Sequence, residues 1–276
     1  MTENQARSAD LPSEGWQVYL KPRVIGMLFL GFSAGLPLLL VGGTFSAWLR
    51  DLGIELSSIG FLSWVGMAYS VKVLWAPVID RAPVPILSRL LGRRRAWMLL
   101  SQAVIIVALL GMAFSDPREH LGLIAVFAVM TAFGSATQDI AIDAYRVEAE
   151  AKHRQAAMAA TYVTGYRIAI LAAGAGALHL ASLDSWTLAY MAMALLMGIG
   201  VVTTLVIAEP SVSISEQTTQ QEERVQQYLA STAHTGWKRD LTAWFIGAVI
   251  CPFTEFFLRN GRLALAILLF IGLFRI

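Results

Sequence analysis

Ser135-Ala-Thr-Gln138-Asp139-Ile-Ala-Ile-Asp143-Ala-Tyr145-Arg146 ends a run that starts at Leu121 as plain hydrocarbon. Together the two parts are long enough to cross a bilayer, which takes about 20 mostly apolar residues. Carboxylates are costly in hydrocarbon, so acids inside a span face a bundle interior or a watery cavity. Gln138 and Asp139 are neighbours, and Asp143 falls one helical turn after Asp139 on the same face. A helix bearing acid and amide there reads as part of a carrier rather than an anchor.

Composition points the same way. Apolar residues make up 57% of the 276 and charged residues 14%, whereas soluble domains run at about 45–50% and about 25%. The expected fold class is all-α: a polytopic helical membrane protein surrounded by lipid. A net charge of +2 gives no reason to expect nucleic acid as a partner. The single cysteine, Cys251, excludes a disulfide framework within the chain. His120, His153, His179 and His234 lack ligand spacing, so neither a metal nor a cofactor is expected. No Ser-His-Asp set or phosphate loop stands out, and an enzyme is the least favoured reading.

Hydropathy places six complete spans near 24–49, 57–79, 96–114, 121–145, 156–181 and 186–208, and a seventh starts near Leu263 and runs to Ile276. The polar segment 1–23 precedes this six-helix bundle over 24–208, and no removable signal peptide is visible in it. Beyond the bundle, 209–240 reads as a polar linker and 241–260, interrupted by Pro252, as an amphipathic helix at the membrane interface. A short span is the competing reading of 241–260. Residues 261–276 begin the seventh span. Sixteen of the 21 lysines and arginines fall on the side of the N-terminus, two on the other, and Lys72, Arg167 and Arg275 within apolar segments. The positive-inside rule then predicts a cytoplasmic N-terminus and linker. Gly165, Gly174, Gly176 and many alanines in the fifth span predict close helix approach.

Counted from the basic ends of their spans, Lys72 lies roughly 12 Å deep, Arg167 roughly 16 Å, and Asp139 about 9 Å beyond Tyr145. Intramembrane ions of opposite sign pair, so these three are expected to meet, with Asp139 ionised until cargo or a conformational change disturbs it. Asp139 and Asp143 are the proton-coupling candidates, although Asp143, near the interface, also suits a local pair with arginine. Gln138, Lys72, Arg167, Tyr166 and Tyr162 are the substrate-binding candidates, the two tyrosines sharing one helix face. Static ion pairs and packing are the bland alternatives. Asp80, Arg81, Arg93, Arg94 and Arg95 lie in the basic loop after the second span. They read either as an orientation signal or as a gate that locks helix ends in one state and releases them in another.

Six spans, an acidic–basic second loop and a long linker resemble half of a major facilitator superfamily transporter. Within that superfamily, Leu74-Trp75-Ala76-Pro77-Val-Ile-Asp80-Arg81 and Leu91-Gly92-Arg93-Arg94-Arg95-Ala-Trp97 are similar to the AmpG-type muropeptide permeases. So are the fourth-span stretch 136–146, Gly165-Tyr166-Arg167 and Pro252-Phe253-Thr-Glu255-Phe256-Phe257. The loop departs from the general superfamily pattern: Ala76 replaces a glycine, and 83–91 widen the gap before Gly92. The resemblance implies a proton-driven importer of anhydromuropeptides in the bacterial inner membrane, linked to β-lactamase induction. The driving force would be the proton gradient and the partners muropeptide and protons. The resemblance also implies a second six-helix half, so the chain is expected to be a piece of a longer protein, or to need a C-terminal half or another copy as partner. A carrier of another anionic substrate such as an acyl-CoA, and a non-transporting scaffold, are the alternatives.

Overall fold

The computed structural model describes residues 15–210, with Phe257, Asn260, Gly261 and 263–267. The chain divides into two compact units, Met1–Ser211 and Val212–Ile276. The expected linker beyond Pro210, the interfacial helix and the seventh span therefore lie outside the described residues, save for those few positions. Among the described residues there is no strand.

The described residues of the first unit form eleven α-helices, joined in places by 3-10 and π turns. They are α1 (Pro22–Leu40), α2 (Gly43–Asp51), α3 (Leu56–Leu62), α4 (Met67–Val71), α5 (Ala76–Arg81), α6 (Leu87–Leu91), α7 (Arg93–Ala113), α8 (Pro117–Ala149), α9 (Gln155–Leu171), α10 (Ala177–Leu183) and α11 (Trp186–Val206). Among the described residues, five stretches are long and apolar enough to cross a membrane: Pro22–Asp51, Arg93–Ala113, Pro117–Ala149, Lys152–Leu183 and Trp186–Val206. The expected second span corrects to something other than one helix. It is α3, α4 and α5 joined by 3-10 turns at Ser63–Gly66 and Lys72–Leu74. Gly60, Gly66 and the β-branched residues around Lys72 weaken helix propensity there, and Pro77 sits in the first turn of α5, where its missing N–H does no harm. The widened loop holds the short α6.

The other spans start and stop where local chemistry directs. Asp116 accepts from Arg118 N at 2.9 Å ahead of Pro117, capping α8. α8 kinks at His120 (φ −129°, ψ 44°), so its straight part begins near the expected Leu121. Ser185 Oγ accepts from Leu188 N at 3.2 Å to start α11. Between α9 and α10, Ala172–Gly176 makes a π-helical turn, and Thr44 Oγ1 donates to Ala173 O at 2.7 Å. In hydrocarbon, a carbonyl displaced from the regular ladder needs such a partner. Tyr190, fully buried, likewise donates to Leu40 O at 2.9 Å, where α1 ends.

α1 is the central pillar. The most apolar window of Pro22–Asp51, the stretch that holds it, is 67% buried, against 17% for that of Lys152–Leu183. The two touch backbone to backbone: a Cβ on Gly31 would collide with Tyr162 O, one on Gly35 would stand 2.6 Å from Tyr166 O, and one on Gly165 would collide with Leu28 O. The glycine expected at 165 thus meets a Gly-x-x-x-Gly stripe on α1, at Gly31 and Gly35, that hydropathy alone did not single out. The core falls into two clusters. One is built round Leu36, Phe45, Trp48, Leu109 and Tyr190. The other, round Val24, Met27, Met98, Ile142 and Tyr145, lies where the chain reaches α1 and leaves α11, the basic end.

Gly165→Val is expected to lower stability by about 1–3 kcal/mol through overpacking against α1. Gly198→Ala, where nothing lies within 4 Å, should be neutral or stabilising. Melting of the two purified variants in detergent checks the contrast, and equal melting would refute the close α1–α9 contact.

Candidate functional site

Lys72 sits in the 3-10 turn between α4 and α5, and Asp139 lies on α8. Lys72 Nζ donates to Asp139 Oδ2 at 3.2 Å, with side chains 18% and 13% exposed. The depth count thus brings these two residues together. The irregular backbone around Lys72 is fastened to α8 just above. Trp75 Nε1 donates to Thr137 Oγ1 at 3.2 Å, and the Trp75 and Phe133 rings lie 4.8 Å apart. Tyr69 lies beside Ser135, one turn before Asp139. Tyr69 and Tyr162 are both within electrostatic reach of Asp139. Tyr162 and Tyr166, on α9, have ring centroids 6.0 Å apart. Ion pair and tyrosines form one polar and aromatic patch across the second segment, α8 and α9.

Other expected members lie elsewhere. Gln138 is fully buried on a different face of α8, where its Nε2 donates to Ser33 Oγ of α1 at 2.9 Å. Beside it, Gln102 Nε2 donates to Thr204 Oγ1 at 3.0 Å, and Gly200 leaves room for Ser33 and Gln102. These buried polar side chains join α1, α7, α8 and α11. Ser33, Gln102 and Thr204 were missed because each stands alone in an apolar stretch, and Gln138 was read as a cargo ligand rather than as a tie to α1. Arg167 does not join the Asp139 pair: it is exposed on α9 and makes no ion pair among the described residues. Asp143 Oδ1 accepts from Arg146 Nη2 at 3.3 Å, the local pairing open to it from the sequence.

The basic end is tied by a second network. Arg94, 5% exposed, donates from Nη1 to Asp80 Oδ1 at 2.7 Å. Its Nη2 reaches Glu148 Oε1 at 2.5 Å and its Nε reaches Glu148 Oε2 at 3.0 Å, a two-pronged pair. One guanidinium therefore holds the end of α5 to the ends of α7 and α8. Glu209 accepts from Arg94 N at 2.8 Å and Arg95 N at 3.1 Å, placing a carboxylate on the positive end of the α7 dipole. Its carboxyl group fills the space a Cβ on Gly92 would need, and Gly92 has φ +90°, so both sterics and backbone call for glycine. Arg95 donates to Thr204 O at 2.8 Å and Leu205 O at 2.6 Å, capping α11. Arg93 is partly buried, while Arg81 is exposed and makes no ion pair among the described residues. Glu148 and Glu209 were missed by the sequence reading. The signal for both was an acid at a span end opposite a basic loop.

The profile of the Major Facilitator Superfamily matches residues 24–276. The anhydromuropeptide permease of Escherichia coli K12 is 36% identical over 267 residues, covering 96% of this chain and 48% of the relative. A Haemophilus influenzae protein described as uncharacterized is 34% identical over 261 residues, covering 94% of this chain and 55% of that protein. One of the AmpG-named proteins of Rickettsia felis is 30% identical over 262 residues, covering 94% and 58%. The chain spans about half the length of the curated relatives it matches.

Arg94→Ala leaves Asp80 and Glu148, 47% and 26% exposed, without the cation they share and is expected to cost about 1–3 kcal/mol, less than for a fully buried pair because solvent screens the two carboxylates. Arg81→Ala should stay within about 0.5 kcal/mol, as for an exposed side chain. Thermal unfolding of both variants reads the difference, and an unaffected Arg94→Ala would contradict the network.

Proposed function

Because the chain belongs to the Major Facilitator Superfamily, we propose that it forms the N-terminal half of a proton-driven importer of anhydromuropeptides in the bacterial inner membrane. The observation that carries this reading is the Lys72–Asp139 ion pair, held inside the bundle beside Tyr69, Tyr162 and Tyr166. The likeness to the Escherichia coli permease supports the choice of cargo. The excess of basic residues on one side supports a cytoplasmic N-terminus.

The proposed chemistry follows from the pair. Ionised Asp139 neutralises Lys72. Protonation of Asp139 takes away that partner and leaves an ammonium in a poorly solvated place, which then favours an anionic group of the cargo. The cargo's carboxylates supply such groups, and the rings of Tyr162 and Tyr166 supply flat surfaces for its sugars. Proton and cargo thus favour each other's binding through one lysine, the reciprocity that linkage demands. Arg167, exposed on α9, is free to meet cargo or the second half of the transporter. Asp143 is assigned to local pairing with Arg146. Gln138 is assigned to holding α8 against α1 rather than to touching cargo. The Arg94 network is assigned to closing the basic end, with opening requiring its release from Asp80 and Glu148. Imported fragments of this kind would connect the carrier to β-lactamase induction.

Uptake of radiolabelled anhydromuropeptide tests the reading. Asp139→Asn is expected to abolish uptake in membranes that hold as much protein as the wild type. Undiminished uptake would remove Asp139 from the mechanism. Competition by an acyl-CoA without competition by unlabelled muropeptide would replace the cargo.

A further inference from the structure

Where α1, α7, α8 and α11 meet, Ser33, Gln102, Gln138 and Thr204 have no exposed surface. The chemistry proposed for Asp139 makes no use of these four side chains. Gly200 sets their spacing. A Cβ on it would collide with Ser33 Oγ and stand 3.1 Å from Gln102 Nε2, so hydroxyl and amide share the hollow that glycine leaves. Gln138 Nε2 donates to the same hydroxyl from α8 at 2.9 Å. That hydroxyl in turn donates to Met197 Sδ at 3.7 Å. Gln102 Nε2 donates to Thr204 Oγ1 at 3.0 Å.

Each amide thus spends its nitrogen on a neighbouring hydroxyl, and its oxygen is left over. Gln102 Oε1 and Gln138 Oε1 are both buried and have no hydrogen-bond partner among the described residues. Turning either amide over does not help, because it only exchanges an orphan acceptor for an orphan donor. In a bundle surrounded by lipid, such atoms are costly to leave bare. Two leftover acceptors at one junction call for something small that donates twice. Water meets that description, since a buried water typically bonds about three otherwise unsatisfied polar groups. A hard metal cation takes about six oxygens, more than this junction has left.

We propose that the junction is a binding site for a water molecule, which donates to Gln102 Oε1 and Gln138 Oε1 and completes a hydrogen-bonded seam through four helices. The inference rests on the packed bundle alone. It depends neither on what the transporter carries nor on the role of Asp139.

Radiolytic footprinting of the purified chain in detergent tests it. A brief X-ray pulse makes hydroxyl radicals from water wherever it sits, and a methionine sulfur within reach becomes the sulfoxide. Met197, Met112 and Met158 are all fully buried, and Met197 is the one of the three bonded to Ser33. Met197 is expected to oxidise several-fold faster than the other two. A radical scavenger confined to bulk solvent should leave that excess in place. Gln102→Leu and Gln138→Leu each remove one orphan oxygen and should lose most of the excess. Ser101→Ala should keep it, because that buried hydroxyl donates to Trp97 O of its own helix. Equal oxidation of the three methionines, or an excess that the bulk scavenger abolishes, would overturn the proposal. So would an unchanged excess in both glutamine variants, because the water would then be held by other groups. The wild-type comparison decides the matter even where a glutamine variant fails to fold.

Discussion

An ion inside a membrane bundle must keep a counter-ion beside it, and much of this unit is arranged to let one acid meet one lysine. Asp139 is on the longest helix, and Lys72 is on the most broken segment. The break is physically useful. A 3-10 turn at Lys72–Leu74 interrupts the regular helix of the second segment beside the acid, and irregular backbone is tolerated at depth only where protein or a watery cavity covers it. The Trp75–Thr137 bond and the Trp75–Phe133 contact keep that turn against α8. The pair thus depends on aromatic packing on one side and on the buried Gln138–Ser33 bond on the other.

Depth was legible in the sequence and azimuth was not. Counting residues along the spans put Lys72, Asp139 and Arg167 at similar heights, and two of the three meet. Height follows from the fixed rise per residue. Rotation changes by about 100° per residue, so a single-position difference sends a side chain to another neighbour. Gln138 and Asp139 illustrate this: adjacent in sequence, one binds α1 and the other Lys72. Arg167 illustrates it again: it is exposed on α9 and makes no ion pair among the described residues. The five long apolar stretches were legible from hydropathy alone. The broken second span was not, because its composition is as apolar as the others and its breaks come from summed weak propensities rather than from one residue.

The basic end shows a different limit. A count of arginines separates this side from the other but assigns each of them the same role. In the structure their roles diverge with geometry: Arg94 bridges two carboxylates, Arg95 caps a helix, and Arg81 stands in the open. The acids that distinguish them, Glu148 and Glu209, lie 54 and 115 residues from Arg94. No local pattern reaches that far. Only closing the bundle puts the end of α11 next to the start of α7.

Both ionic centres share α8, and this suggests how they communicate in the proposed carrier. Asp139 and Glu148 are nine positions apart on one stiff rod, so a tilt that relieves one alters the other. The far end of that rod is jointed at His120, and its middle is hydrogen-bonded to α1 through Gln138. α1 itself is locked to α9 through the glycine contacts, where no side chain is available to yield. Relative motion is therefore more easily taken up between α8 and the second segment, where contacts are side chain to side chain, than between α1 and α9. The rigid partner and the yielding partner of a rocking carrier would both be present within this one half.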